Sequence, residues 1–317
     1  MSFRMVLLPP YAEPDWPERI AEAVPGAVVE LFERPEASVR ALAEADAVYG
    51  TLPPELFERA PKLRWIAAPL AGLGPEWFHP ALVASDVVVT NMRGIYNEHL
   101  AGHLMGFVLA FSRRFDVFWP RQQAREWKRG PQMIDLASST AVIVGVGGSG
   151  AEAARLCRAF GMRTIGVDPR TTECEHLDEL VANDRLDEVL PRADFVLITA
   201  PEAPSTIGMF HRGRFELMKP TAYLCNIARG KLVVTDDLVV ALREGRIAGA
   251  GLDVVDPEPL PADHPLWTMP GVLLTPHVAI AGAPGWYERR TAIIVENARR
   301  FDADQPLINQ VDKANWF

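Results

Sequence analysis

A turn rich in glycine stands near the middle of this 317-residue chain, between a strand-forming and a helix-forming segment. Thr140–Val144 is apolar and largely β-branched, and Ala151–Leu156 after the turn has the composition of a helix. Between them lie the spaced glycines Gly145, Gly147 and Gly150. Strand, glycine turn and helix in this order are typical of parallel sheets that bind a dinucleotide, so the turn predicts such a domain.

Each glycine of this turn has a distinct physical task in such a domain. Gly145 permits the tight bend, Gly147 lets a pyrophosphate approach the backbone, and Gly150 lets the helix pack closely on the strand. The helix start also offers unpaired N–H groups and a positive dipole end to an anion. We therefore assign Gly145, Gly147, Gly148, Ser149 and Gly150 to the cofactor site.

An acidic residue follows the next predicted strand. Asp168 comes directly after the apolar strand Thr164–Val167, about 20 residues beyond the turn, where an acid binds the ribose hydroxyls of NAD. Its carboxylate would repel a 2′-phosphate, although Arg170 lies close enough in sequence to bind one. We expect NAD as the cofactor, with NADP as the less favoured alternative.

Short apolar runs alternate with helix-like segments both before and after the glycine turn, as expected for parallel sheets covered by helices. In the first region the predicted strands are Met5–Leu8, Ala27–Leu31, Ala47–Gly50, Leu63–Ala68 and Val87–Thr90, and the predicted helices are Trp16–Val24, Ala37–Ala43 and Glu55–Arg59. In the second region the predicted strands are Ala141–Val146, Thr164–Asp168, Phe195–Thr199, Ala222–Asn226, Ala250–Asp253 and Val272–Thr275, and the predicted helices are Ala151–Phe160, Leu177–Val181, Arg212–Leu217 and Thr235–Glu244.

Two further helices are expected to border these regions. Asn97–Val117 is apolar around most of its circumference and should be buried, and Trp286–Arg300 should return the chain to the first region. The resulting fold class is α/β, with two doubly wound parallel-sheet domains. A Rossmann cofactor domain, 96–286, is inserted into a flavodoxin-like substrate domain, 1–95 plus 287–317.

Composition excludes several classes of partner. A formal net charge of −9 disfavours binding to nucleic acid or to an anionic membrane. The three cysteines show no metal-ligand or disulfide spacing, so we expect a reduced, cytoplasmic protein and no metal.

Three polar segments each follow a predicted strand of the second region. They are Asn226–Gly230, Asp253–Leu260 and Thr275–His277. Because the carboxyl ends of parallel strands meet at one edge of a sheet, these segments are expected to converge on the cofactor.

With these blocks the chain resembles the D-isomer-specific 2-hydroxyacid dehydrogenase family over nearly its whole length. The resemblance is carried by the order of Asn-Ile-Ala-Arg-Gly, Gly-Leu-Asp-Val and Thr-Pro-His, and it implies a catalytic arginine, glutamate and histidine at Arg229, Glu258 and His277. The chemistry of these side chains agrees with that implication. The guanidinium matches a carboxylate, the imidazole can give a proton to a carbonyl oxygen, and the glutamate can orient the imidazole.

The resemblance implies further binding residues. Asp253 is expected to face the nicotinamide carboxamide, and the loop Leu70-Ala71-Gly72 to hold the substrate carboxylate through backbone amides, although a plain turn would also explain Gly72. The remaining residues that we assign to the cofactor site adjoin the same blocks: Ala200, Pro201, Ile227, Ala228, Arg229, His277 and Ala279.

The expected reaction is hydride transfer between NAD(H) and a small 2-oxo or 2-hydroxy acid, with glyoxylate or hydroxypyruvate suggested by the resemblance alone. A formate-dehydrogenase-like relative is disfavoured, because that subgroup has glutamine where this chain has Glu258. A dinucleotide-sensing regulatory protein remains an alternative.

We expect a homodimer. This expectation rests on the apolar helix Asn97–Val117 and the polar arm around Trp127, and the resemblance also implies it, because members of the family are usually dimeric. The sequence also departs from the family's usual Ala-Glu pair at Ala101-Gly102-His103, and we interpret His103 as structural.

Overall fold

The computed structural model describes residues 3–9 and 11–317. The chain forms two compact units, one made of Met1–Ile95 and Pro284–Phe317 and the other of Tyr96–Ala283. The predicted second boundary lies a few residues later, at the start of the last helix.

The first unit contains a five-stranded sheet in which all neighbouring strands are parallel. Its strands are β1 (Arg4–Leu7), β2 (Val28–Leu31), β3 (Ala47–Tyr49), β4 (Trp65–Ala67) and β5 (Val88–Thr90). The helices between them are α1 (Trp16–Ala23), α2 (Val39–Leu42), α3 (Pro54–Phe57) and α4 (Pro80–Ala84). The order β2-β1-β3-β4-β5 is that of flavodoxin-like sheets, which confirms the predicted architecture of this unit.

The second unit contains a seven-stranded, all-parallel sheet. Its strands are β6 (Thr140–Val144), β7 (Arg163–Val167), β8 (Glu179–Val181), β9 (Phe195–Ile198), β10 (Tyr223–Asn226), β11 (Gly249–Leu252) and β12 (Val272–Leu274). Its helices are α5 (Asn97–Ser112), α6 (Phe115–Gln123), α7 (Gly148–Ala159), α8 (Leu186–Val189), α9 (Arg212–Leu217) and α10 (Thr235–Arg243). The order β12-β11-β10-β9-β6-β7-β8 reverses direction next to β6, as in Rossmann sheets, and the predicted class is confirmed.

One predicted helix of this unit is wrong. Leu177–Val181 contains β8, which pairs in parallel with β7 at the edge of the sheet. A short edge strand is half exposed, so its apolar period does not separate it from a helix. Gly166 in β7 makes room for it, because a Cβ there would lie 2.4 Å from Leu177 Cδ1 and 3.1 Å from Leu180 Cδ1.

The long predicted helix is divided in two. α5 ends at Ser112, Arg114 takes a left-handed conformation with φ +59°, and α6 then begins at Phe115. Arg114 is held there by its ion pair with Asp116, 3.2 Å from Nη2 to Oδ2. Burial raises the pKa of Asp116 in spite of that ion pair. The polar arm expected around Trp127 therefore follows a second helix, which ends at Gln123.

α5 is buried against the sheet, as expected from its apolar circumference. Leu104, Val108 and Phe111 are fully buried, and Phe107 fills the space above β11. A Cβ at Gly251 would approach Phe107 Cγ to 2.6 Å, so the glycine allows this close helix–strand contact.

The last helix, α11 (Trp286–Asp302), packs on α1 within the first unit. Trp16 Nε1 donates to Thr291 Oγ1 at 2.9 Å, which ties the two ends of that unit together. Within residues 3–9 and 11–317, no helix is long and apolar enough to span a bilayer. All three cysteines lie in the described part, none forms a disulfide, and burial raises the pKa of Cys157 to about 12.

Candidate active site

The glycine turn between β6 and α7 has the geometry that a dinucleotide requires. Gly145 has φ +94°, and a Cβ there would lie 2.4 Å from the backbone nitrogen of Ala200. A Cβ at Gly150 would lie 2.0 Å from the carbonyl oxygen of Gly145, whereas the space around Gly147 is open. Close packing on one side and open space at the start of α7 suit a pyrophosphate bound to backbone N–H groups.

Asp168 is fixed at the end of β7 by backbone donors. Its Oδ2 accepts the Val146 N–H at 2.8 Å, and its Oδ1 accepts the N–H groups of Arg170 at 2.9 Å and Thr171 at 2.8 Å. Burial opposes ionisation, but these hydrogen bonds outweigh it and hold the pKa of Asp168 below its usual value. The acid beside the glycine turn is therefore a fixed negative charge.

Asn97 also lies at the glycine turn, which the sequence analysis missed. Its side-chain oxygen is 3.3 Å from Ser149 Oγ, and a Cβ at Gly148 would approach its Nδ2 to 2.3 Å. The sequence gives no signal for this contact, because Asn97 is simply the first residue of a distant helix.

The polar block after β10 is shaped by Asn226, which is fully buried. Its Oδ1 accepts the Ala228 N–H at 3.0 Å and its Nδ2 donates to the Arg229 carbonyl at 2.9 Å. The Arg229 guanidinium in turn donates from Nη1 to the Ala228 carbonyl at 2.7 Å. The amide side chain thus fixes the turn that presents the arginine.

Gly230 brings the loops after β10 and β11 into contact. A Cβ at Gly230 would lie 1.9 Å from the Val255 carbonyl oxygen and 2.7 Å from the Asp256 nitrogen. Val255 N–H donates to Glu258 Oε1 at 3.1 Å, so the same loop also orients the glutamate. The glycine that follows the arginine is needed for contact between the two loops.

Glu258 and His277, which the sequence analysis predicts to be catalytic, lie in direct contact. His277 Nδ1 lies 2.9 Å from Glu258 Oε2, and both side chains are part-exposed at 48% and 36%. Because Nδ1 is bound to the carboxylate, Nε2 is the ring nitrogen left for other partners. The arrangement can hold a proton on an imidazole of fixed orientation.

Asp253 is buried beneath this pair, with 2% of its surface exposed. Its Oδ1 accepts the Thr275 hydroxyl at 2.6 Å and the Val278 N–H at 2.9 Å, and its Oδ2 accepts the Ala279 N–H at 3.0 Å. These bonds use most of the acceptor sites of the carboxylate and leave one on Oδ2. Its expected contact with a carboxamide stays a prediction.

The other predicted cofactor residues lie at the carboxyl ends of β9, β10 and β12. Ala200, Ile227 and Ala228 are buried, Pro201 is exposed and Ala279 is part-buried. Ala200 is the residue that packs directly on Gly145.

The loop Leu70-Ala71-Gly72 belongs to the first unit, where it follows β4. Met92 N–H donates to the Leu70 carbonyl at 3.0 Å, and Asn91 Nδ2 donates to the Ala71 carbonyl at 2.8 Å. Both carbonyls are thus held by neighbouring groups, and this fixes the orientation of the loop's peptide groups.

Fold and side chains together define a class of protein. A Rossmann sheet with a fixed acid beside its glycine turn suits a nicotinamide dinucleotide, and the histidine–glutamate pair at the same edge suits proton transfer. Among residues 3–9 and 11–317, no group of three His, Cys, Asp or Glu side chains is arranged to bind a metal. The site is that of a dinucleotide-dependent oxidoreductase.

The chain belongs to the D-isomer specific 2-hydroxyacid dehydrogenase family. Residues 105–279 match the family's model for the NAD-binding domain. A glyoxylate reductase from Pyrococcus furiosus is 38% identical over 236 residues, which are 72% of this chain and 69% of the relative.

Solved structures agree over the whole chain. A D-isomer specific 2-hydroxyacid dehydrogenase from Xanthobacter autotrophicus, in complex with NADPH and MES, has a TM-score of 0.82 at 29% identity and covers 99% of both chains. An NADPH-dependent glyoxylate/hydroxypyruvate reductase from Sinorhizobium meliloti, in complex with NADP and sulfate, has a TM-score of 0.83 at 27% identity and covers 100% of both chains. The protein is therefore an NAD(P)-dependent 2-hydroxyacid dehydrogenase that acts on a CH–OH group.

The contact at Gly230 provides a test of the site. Gly230→Ala would push Val255 and the Glu258 loop away from Arg229, and a displacement of this kind costs about 100-fold in rate. We expect kcat/KM for a 2-oxo acid to fall by about that factor. Overpacking should also lower the free energy of unfolding by roughly 1–3 kcal/mol.

Gly106→Ala is the matched control, because Gly106 lies on the exposed face of α5 with open space around it. Steady-state kinetics and thermal unfolding of both variants make the comparison. Parent-like kinetics in Gly230→Ala would show that contact between the two loops is not required.

Proposed function

We propose that the protein reduces a small 2-oxo acid to the D-2-hydroxy acid, with glyoxylate and hydroxypyruvate as the first substrates to examine. The observation that carries this proposal is the 2.9 Å contact between His277 Nδ1 and Glu258 Oε2. Relatives described as glyoxylate reductases and as a glyoxylate/hydroxypyruvate reductase support the choice of substrates.

In this proposal the proton comes from His277. Glu258 accepts a hydrogen bond from Nδ1, stabilises the positive charge of the imidazolium and directs Nε2–H toward the carbonyl oxygen of the acid. In the reverse direction the neutral Nε2 takes the hydroxyl proton. A reduced nicotinamide, when bound, supplies the hydride to carbon.

Arg229 anchors the substrate. Its planar guanidinium offers paired N–H donors to the carboxylate of the acid and polarises the neighbouring carbonyl group. We further propose that the backbone amides of Leu70-Ala71-Gly72, in the first unit, bind a carboxylate; the Leu70 and Ala71 carbonyls are held by Met92 N–H and Asn91 Nδ2.

A panel of 2-oxo acids tests the reaction. Oxidation of NADH should be observed with glyoxylate or hydroxypyruvate, and His277→Ala should lower kcat by about 10²–10⁴-fold because the general acid is lost. Fluorescence titration with NADH separates this loss of turnover from any loss of cofactor affinity in the same variant. Glu258→Gln retains a hydrogen-bond acceptor but loses the charge, so its kcat should lie between those of the parent and His277→Ala.

Turnover near the parent level in His277→Ala would refute the assignment of the proton donor. Binding of NADH without reduction of any acid in the panel would instead favour the dinucleotide-sensing alternative.

We infer a preference for NAD over NADP from the fixed charge of Asp168. A 2′-phosphate placed beside this carboxylate would be repelled, even though the related structures contain NADP or NADPH. The parent should therefore have a higher kcat/KM with NADH than with NADPH, and Asp168→Ala should reduce that ratio. A parent enzyme that is faster with NADPH would overturn the inference and would make Arg170 the residue to replace next.

We also propose a cytoplasmic homodimer. Phe115 and Trp119 stack on α6 with ring centroids 5.3 Å apart, and Trp127, beyond the end of α6, is fully exposed. These side chains offer aromatic surface that a second copy would cover. The reduced cysteines support the compartment.

Sedimentation velocity tests the dimer. At micromolar concentration the parent should sediment as twice the 35.0 kDa chain, and Trp119→Ser combined with Trp127→Ser should shift it toward the monomer. A parent that sediments as a monomer would contradict the proposal.

A further inference from the structure

The catalytic histidine has an unusual backbone conformation. His277 has φ +53°, in the left-handed region that residues other than glycine adopt at some cost. Its N–H donates to the Asp253 carbonyl at 2.7 Å. A conformation of this kind persists only where neighbouring groups determine it, so the residues that hold the loop matter for the direction of the imidazole.

Asp253 holds the loop on the far side of the histidine as well. Its carboxylate accepts the N–H groups of Val278 and Ala279, the two residues that follow His277. The same aspartate therefore binds the loop through its carbonyl at residue 277 and through its side chain at residues 278 and 279. A rotation of this carboxylate would therefore move the backbone of residues 278 and 279 and, with it, the backbone of His277.

Thr275 determines the rotation of that carboxylate. Its hydroxyl lies 2.6 Å from Asp253 Oδ1, and since a carboxylate only accepts, the threonine donates its single hydroxyl proton there. The threonine oxygen can then act only as an acceptor toward its other neighbour.

That neighbour is His103 on α5. Its Nε2 lies 2.9 Å from Thr275 Oγ1 and 3.6 Å from Asp253 Oδ1. Because Thr275 must accept, Nε2 of His103 carries a hydrogen and donates it. The ring is held edge-on to Phe107, with centroids 5.0 Å apart, so the donor has a fixed direction.

We propose that His103 is a positioning residue for the catalytic histidine. Through Thr275 it fixes the Asp253 carboxylate, which in turn keeps His277 in the left-handed conformation that directs Nε2. The proposal goes beyond the structural role that the sequence suggests for His103. The inference rests on the proposed role of His277 as proton donor, but its central claim concerns the order of the loop.

Four substitutions separate a hydrogen-bonding role from simple packing. His103→Phe keeps a ring but removes the donor, and Thr275→Val keeps the shape but removes the hydroxyl. Each should lower kcat by about three- to tenfold, the effect of losing one hydrogen bond, with the KM for the acid unchanged. His103→Gln and Thr275→Ser retain a donor and a hydroxyl, and they should recover most of the rate.

The double variant His103→Phe with Thr275→Val should lose little more than the worse single variant, because both act through one contact. His99→Phe is the matched control. His99 lies one turn earlier on α5 without a hydrogen-bond partner among the described residues, and its replacement should leave kcat at the parent value.

Amide hydrogen exchange gives a readout that does not need activity. The amides of Val278 and Ala279 should be protected in the parent and should exchange faster in His103→Phe and Thr275→Val, but not in His103→Gln or Thr275→Ser. If the parent reduces no 2-oxo acid but the two disruptive variants still exchange faster, the positioning role stays intact and only the proposed function is refuted.

Unchanged exchange at residues 277–279 in both disruptive variants would overturn the positioning role. So would a lowered melting temperature and weaker NADH binding that His103→Gln fails to correct, because those results would assign His103 to packing alone.

Discussion

The space that a Cβ would need at Gly230 is taken by the carbonyl of Val255, only 1.9 Å from where that Cβ would lie. Without a side chain at this position the loops after β10 and β11 touch, and Arg229 comes next to the segment that carries Glu258. The parallel sheet brings the carboxyl end of β12 to the same edge, and His277 follows it there. The pair of residues proposed to move the proton thus depends on a contact between two backbones, and only glycine allows it.

In the turn after β6, glycines likewise allow backbones to come into direct contact. Gly150 packs against the Gly145 carbonyl and Gly145 packs against Ala200, so β6, α7 and the end of β9 meet without intervening side chains. Backbone N–H groups can be presented to an anion only when nothing stands in front of them, and the open space around Gly147 meets that condition.

Features that are encoded by a few neighbouring residues could be predicted from the sequence. The glycine turn, Asp168 and the polar ends of β10, β11 and β12 are each encoded within a few residues, and the alternation of strands and helices predicted both sheets. The prediction was wrong at Leu177–Val181, where a short edge strand shows no clear period, and at Arg114, where a left-handed residue divides an apolar helix. The contacts of Asn97 and His103 were not predicted, because a helix pattern tells which face is apolar but not which distant loop its polar residues meet.

Three acids at this edge are each fixed by backbone donors. Asp168 accepts three N–H groups, Asp253 accepts those of Val278 and Ala279, and Glu258 accepts that of Val255. A carboxylate bound in this way keeps its direction, because peptide donors cannot rotate away as a lysine side chain can. Each carboxylate then has a different partner: the histidine loop for Asp253, the imidazole for Glu258 and, in our proposal, the ribose of the cofactor for Asp168. Because the loop backbones set these directions, the geometry of the site depends on how firmly the loops are held. In our proposal, His103 acts in this way on a reaction whose atoms it does not touch.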